Sequence, residues 1–287
     1  MDSQSIFQPN PVFSLEVFPP QAQLDNEGFN EKLAILKDIN PDFISVTFGA
    51  GGQINNQNPL KIADLIQQKS KITAMAHITG LYQSQPQLSK QLAQLKKHHI
   101  TKILAIRGDY RNSSQPLGDF RHADELIAFI KGHGDFEIAG ACYPQNHPES
   151  KDTEKEFYYL KQKIKAGLSF LISQMVFNNE NFYHFQNQLA AHQIQTPVEV
   201  GIMPCTSKKQ LQKITHLTGH PIPAKLTTLI NYYQSDSKSM RQAGIEFAIQ
   251  QIIDLSKHHV AGIHLFTMND VEAAKSIWDA TRHTFKS

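Results

Sequence analysis

Cysteine is scarce in this chain of 287 residues: only Cys142 and Cys205 are present, far apart. Each lies in or beside an apolar run, so both read as buried free thiols, and a disulfide framework is excluded. Charge of one sign is equally scarce. A net charge of +2 gives no broad basic field for a nucleic acid. Long hydrophobic runs are missing, since none approaches the roughly 18 residues a membrane span needs. The start, MDSQSIFQPNP, has neither a basic nor an apolar stretch, which argues against a signal peptide and for a cytoplasmic protein. Several signatures are also absent. There is no Gly-x-Gly-x-x-Gly, no phosphate-loop Gly-x-x-x-x-Gly-Lys and no Gly-x-Ser-x-Gly elbow. His98-His99 and His258-His259 are adjacent rather than at helical i, i+4 spacing, so no metal site is expected. With 40% hydrophobic and 19% charged residues, the composition is that of a folded globular protein.

What is present is a regular series of short apolar runs bounded by turn residues: 13–20, 42–50, 72–80, 102–109, 136–144, 169–177, 198–204 and 261–269. Amphipathic segments of helical length lie between them. Leu33, Leu36 and Ile39 mark one face, Leu92 and Leu95 another, and Leu160 and Ile164 a third that closes on Gly167. A strand–helix repeat of about thirty residues implies parallel strands, and eight such units match a (β/α)8 TIM barrel. A doubly wound open sheet is the alternative. The interval before the last strand is roughly doubled. PAKLTTLINYY and MRQAGIEFAIQQIIDLSKHH both read as helices there, giving an extra helix. No Pro/Gly/Ser linker interrupts the series, so residues 1–287 are expected to form a single catalytic barrel domain.

In a barrel of this kind the site lies at the C-terminal ends of the strands. Those ends carry Glu16, Thr47, His77, Arg107 with Asp109, Tyr143 with His147, and Gln174. A surface turn explains Arg107-Gly108-Asp109 alone, but not polar groups at the same end of six successive strands. A charge such as Glu16 within an apolar strand is costly to bury without a partner or ligand. The Gly-rich stretch 48–53 lacks the phosphate-loop lysine and reads as a barrel loop.

Seven segments, SLEVFPP, FISVTFGA, AHITG, LAIRGD, YPQNHPES, LKQKIKAG and ISQMVF, occur in an order and spacing that resembles the methylenetetrahydrofolate reductase family, from Phe13 to about Ala274. The resemblance is to the short, single-domain bacterial form. It implies bound FAD, with NADH or NADPH as donor, reduction of 5,10-methylenetetrahydrofolate to 5-methyltetrahydrofolate, and a place in methyl supply to methionine. It further implies a cytoplasmic homo-oligomer with a small-molecule folate substrate and neither nucleic acid nor membrane as partner. Another barrel flavoprotein, such as a proline-dehydrogenase-like oxidoreductase, and a non-catalytic folate- or flavin-binding barrel are the alternatives.

Carried over residue by residue, Glu16 matches the family's general acid, and Asp109 the aspartate between flavin and pterin. Thr47, His77, Arg107, Gly108, Ala123, Tyr143, His147 and Lys163 match FAD contacts, and Gln174 and Gln210 folate contacts. The chemistry fits these types. The substrate's five-membered ring must open to a cationic iminium before hydride reaches its carbon, which requires a proton donor. Burial at the barrel mouth is expected to raise the Glu16 pKa. Three positions depart from the family. Glu156 replaces an aspartate and is expected still to reach the cofactor. Ile214 replaces a stacking phenylalanine. Asp270 replaces an arginine that meets the folate tail, so Asp270 is expected to repel that tail unless Lys208 or Lys209 substitutes.

Overall fold

The computed structural model describes residues 11–19, 26–47, 59–110, 117–150, 152–218 and 222–285. The expected loop 48–53, the N-terminal segment 1–10 and Pro20 lie outside them.

Eight parallel strands close into one barrel in sequence order, with β8 pairing back onto β1. They are β1 (Val12–Val17), β2 (Phe43–Val46), β3 (Thr73–Thr79), β4 (Lys102–Ile106), β5 (Glu137–Cys142), β6 (Phe170–Met175), β7 (Val198–Ile202) and β8 (Gly262–Phe266). Closure excludes the open doubly wound sheet. Each strand is shorter than the apolar run that announced it, because the last residues of each run leave the ladder to form the rim.

Helices fill the intervals: α1 (Asn26–Ile39), α2 (Pro59–Leu65, running on into a π turn at Ile66–Ser70), α3 (Gln85–Lys97), α4 (Ala123–Lys131), α5 (Thr153–Lys165) and α6 (Asn179–Ala191). The doubled interval holds α7 (Lys208–Thr218), α8 (Ala224–Tyr233) and α9 (Ser237–Lys257), and α10 (Val271–Thr281) follows β8. Local chemistry sets several boundaries. Ser84 and Gln87 form a reciprocal capping box at the start of α3. Asp152 and Asp236 accept backbone N–H bonds at the starts of α5 and α9. Gly167, at φ +109°, ends α5 as expected.

The period-two alternation of the strands divides the core into two layers. Phe13, Leu15 and Val17 face outward into the layer between barrel and helices. There Phe13 meets Trp278 at 4.8 Å and Phe285 at 5.3 Å between ring centres, which fastens the chain's end to β1. The inward positions carry a small apolar cluster of Val12, Phe43, Met75, Leu104, Ala139, Phe170 and Ile172. Ser14, Glu16, Ser45, Thr47, His77, Glu199 and His264 share the inward parity with these residues, and all seven are buried. The extra helices form a satellite cluster of Cys205, Leu211, Leu226, Ile230 and Met240. Gly244 of α9 permits this packing, since a Cβ there would lie 2.0 Å from the Cys205 carbonyl oxygen. Both cysteines are buried free thiols.

Candidate active site

Glu16 is the inward residue next to the end of β1, paired in register with Ser45 and Phe266. Two histidines face it. His77 Nε2 of β3 lies 3.6 Å from Glu16 Oε2, and His264 Nε2 of β8 lies 3.7 Å from the same oxygen. At these separations the contacts are those of charge rather than of a hydrogen bond. The other face of the His264 ring meets a second carboxylate, with Nδ1 3.6 Å from Glu199 Oε2 of β7. The Ser14 hydroxyl donates to Glu199 Oε2 at 2.6 Å and lies 2.6 Å from His264 Nδ1. Thr47 closes the ring of polar groups by donating to the Val17 carbonyl oxygen at 3.3 Å.

Electrostatics correct one expectation. Burial does push the Glu16 carboxyl upward, but contact with His264 and the charge of His77 outweigh it, and the net shift is downward. The reverse holds at His264. Burial disfavours its cation, yet Glu16 and Glu199 on either side raise it to about 9. Burial lowers His77 to about 4, a shift that Glu16 only partly opposes and to which His264 adds. Glu199 is raised by burial, against the pull of His264 and Ser14. The two histidines beside Glu16 thus favour its carboxylate form, where burial alone would favour the neutral carboxyl.

The loops after β4 and β5 bring a second group together. Gly108 turns the chain at φ +86°, where a Cβ would meet Thr79 at 3.3 Å, so Arg107 and the exposed Asp109 can diverge at the strand end. Arg107 pairs with Glu149 at 2.8 Å and lies 5.1 Å from the centre of the Tyr110 ring. Tyr143 and His147 pack edge to face at 4.7 Å. Burial lowers the His147 pKa, with Arg107 adding to the effect. Tyr143, Asn146, Glu156 and Lys163 line one recess together with Cys142 and Phe157. Lys163 Nζ donates to the Ala141 carbonyl oxygen at 2.6 Å, and burial lowers its pKa. Ala123 opens α4.

The remaining expected residues have local partners. Gln174 Oε1 accepts from the Met175 N–H at 2.9 Å. Gln210 Oε1 accepts from the Thr206 N–H and hydroxyl, both at 3.1 Å. Ile214 is buried. Asp270 does not stand at the rim as a free anion. It caps α10 by accepting from the Ala273 N–H at 3.0 Å and pairs with Arg241 of α9 at 2.7 Å. The cation beside it is thus Arg241, whereas Lys208 donates to Gln234. Sequence reasoning missed Ser14, Glu199 and His264. The available signal was a charge or imidazole inside VEVGIMP and AGIHLFTMN.

A closed parallel barrel that gathers an acid and two imidazoles inside, beside a recess lined by Lys163 and Glu156 among others, has the form of a (β/α)8-barrel enzyme. The sequence makes this specific: the chain belongs to the methylenetetrahydrofolate reductase family, whose model matches residues 3–282, and the family is one of oxidoreductases. Among curated relatives, the 5,10-methylenetetrahydrofolate reductase of Pectobacterium carotovorum is 30% identical, covering 92% of this chain and 88% of its own. That of Buchnera aphidicola is 31% identical with 92% and 89% covered, and that of Escherichia coli 27% identical with 92% and 88% covered. Among solved structures, an uncharacterized protein from Clostridium thermocellum that binds two copies of 5-methyl-5,6,7,8-tetrahydrofolic acid superposes with a TM-score of 0.71. It covers 97% of this chain and 96% of its own at 14% identity, a likeness of fold. No described helix is long and apolar enough to cross a membrane.

Proposed function

We propose that this chain, as one catalytic barrel domain, reduces 5,10-methylenetetrahydrofolate to 5-methyltetrahydrofolate, using FAD that is itself reduced by NADH or NADPH. The observation that carries this reading is Glu16, a buried acid at the mouth of the barrel in contact with a histidinium. A barrel that only bound its ligand would have no use for such a costly group.

The donor set fits FAD. Arg107, Lys163 and His147 offer N–H groups to a pyrophosphate, and Glu156, in the same recess as Lys163, offers an acceptor to a ribose hydroxyl. Thr47, His77, Gly108, Ala123 and Tyr143 would complete the contacts. When bound, the flavin supplies the hydride that the folate's bridging carbon receives. The chain's own residues handle the proton and the charge. Glu16 delivers a proton to the nitrogen that departs as the folate ring opens. Asp109 faces the cationic iminium and stabilises it. Gln174 and Gln210 hold the pterin once they exchange their local partners for it. Arg241, which pairs with Asp270 just after β8, is the cation we assign to the substrate's glutamate tail. The protein is read as a cytosolic homo-oligomer.

Purification and turnover test this directly. The protein should be yellow, with a flavin absorption spectrum, and should oxidise NADH or NADPH in the presence of 5,10-methylenetetrahydrofolate. A colourless protein that gains no colour with added FAD and shows no turnover contradicts the proposal.

A further inference from the structure

If Glu16 is the acid, it is an acid with two imidazoles 3.6 and 3.7 Å from one carboxyl oxygen, which favour its ionised form and offer another place for the proton. The barrel interior shows where. Each nitrogen of the His264 ring faces a carboxylate, Glu16 on one side and Glu199 on the other, and the ring is fully buried. With Glu199 ionised, the Ser14 hydroxyl gives it its one proton, so toward His264 it acts as an acceptor, and Nδ1 carries hydrogen. That leaves Nε2 facing Glu16 Oε2 at 3.7 Å, with the Ser45 hydroxyl beside it at 3.5 Å. Glu199 is itself an expensive residue in this position. It is fully buried, and its Oε1 has no hydrogen-bond partner among the described residues. A carboxylate is not retained in such a place by its own stability.

We propose that Glu199 is a positioning residue for Glu16: by holding His264 doubly protonated through Nδ1, it stores at Nε2 the proton that Glu16 passes to the departing nitrogen of the substrate. This deepens the proposed function and rests on it. In the step, the 3.7 Å between His264 Nε2 and Glu16 Oε2 first closes to a hydrogen bond, and the Nε2–H bond then breaks as an O–H bond forms on Glu16. That O–H bond breaks in turn as the substrate nitrogen gains its hydrogen and takes the electron pair of the opening C–N bond. Glu16 ends as a carboxylate and His264 as a neutral imidazole. Glu16, at 7% exposure, is the member of the chain through which solvent restores the proton.

The titratable groups facing His264 are Glu16 of β1, Glu199 of β7 and His77 of β3; Asp42, just before β2, acts on Glu199. Of these, Glu199 can be neutralised without touching the acid itself. Histidine-selective 15N NMR reads the ring directly, with His264 assigned by the signal lost in His264→Gln. In wild type both ring nitrogens should be protonated at neutral pH, with a midpoint of about 9. In Glu199→Gln the midpoint should fall by about one unit or more. The basic limb of the kcat–pH profile should fall with it, giving about tenfold slower turnover on that limb and little change in acid. Should Glu199→Gln fail to fold, Ser14→Ala is expected to shift both readouts the same way, and the wild-type spectrum is decisive alone.

A neutral His264 ring in wild type at neutral pH, or a midpoint unmoved by the substitution, overturns the role of Glu199. A midpoint that moves while the kcat limb stays in place overturns the passage of the proton from His264. Absence of any folate reduction by wild type instead overturns the function on which the inference rests, and leaves the NMR result standing.

Discussion

Inside the barrel, Ser14, Glu199 and His264 are fully buried and Glu16 nearly so, and these four groups have each other as partners. At the rim, Arg107 and Glu149 pair across half-open space, with side chains 23% and 46% exposed, and Asp109 is exposed. The difference follows from what each region can exchange. An ion pair near the surface contributes about 0–1 kcal/mol, so Arg107 can leave Glu149 for a phosphate at little cost. A charge inside the barrel has no water to fall back on, and removing one partner strands the other. The interior is therefore suited to fix the place of a proton, and the rim to receive a charged ligand.

The sharpest way to break this division is Glu16→Gln. It should lower folate turnover by about 10²- to 10⁴-fold while flavin content stays at the wild-type level. Loss of flavin in this variant, measured by absorbance after gel filtration, would merge the two regions into one. Next in size is the pH dependence of stability. His264 has its folded pKa raised from 6.5 to about 9, so its contribution is complete below pH 6.5 and is lost as pH rises through about 9. The loss amounts to about 3 kcal/mol at most, before the opposing cost of burying Glu199. His77 has the opposite sign. Depressed from 6.5 to about 4, it withdraws stability as pH falls through that interval. Urea midpoints should therefore decline from pH 6.5 to 9, and a flat or rising curve there contradicts a buried histidinium.

At the rim, Arg107→Ala should weaken FAD binding by about 10- to 100-fold, the equivalent of one charge-assisted contact. Glu149→Ala should leave that affinity unchanged or improve it, and titration of the apoprotein with FAD measures both. The smallest effect belongs to Asp270→Ala, which removes the cap of α10 and the Arg241 pair and should cost about 1 kcal/mol by denaturant unfolding. Asp270→Asn, which keeps a capping side chain and frees Arg241, should lower the Michaelis constant for the folate. An unchanged constant would remove Arg241 from the tail site.

The rim was the legible region. Arg107-Gly108-Asp109 and Tyr143 to His147 each place several polar groups in a few consecutive residues after an apolar run, a local pattern that a barrel assigns to its C-terminal side. Two helices before β8, α8 and α9, were equally plain as continuous segments of helical length, whereas α7 (Lys208–Thr218) was not read and is a second extra helix. Of the interior, Glu16, Thr47 and His77 were legible at their strand ends, but Ser14, Glu199 and His264 were not, for two physical reasons. Strands of a parallel barrel are covered on both faces and read as unbroken apolar runs, so inward and outward positions cannot be told apart by periodicity. The partners, moreover, come together only through closure: Ser14 meets Glu199 across 185 positions and His264 across 250. Glu16 shows the consequence. Its burial was foreseeable from its strand, but the sign of its shift was not, because His264 lies on the last strand and reaches Glu16 only when β8 returns to β1.

The division between proton and cofactor is tested most directly by a single-turnover comparison of wild type and Glu16→Gln. Each protein is reduced anaerobically with the nicotinamide donor and mixed with 5,10-methylenetetrahydrofolate, and flavin absorbance is followed. Both should accept reduction at similar rates, wild type should then be reoxidised by the folate, and Glu16→Gln should remain almost fully reduced. Reoxidation of the variant at the wild-type rate would contradict the assignment of Glu16 as the residue that delivers the proton.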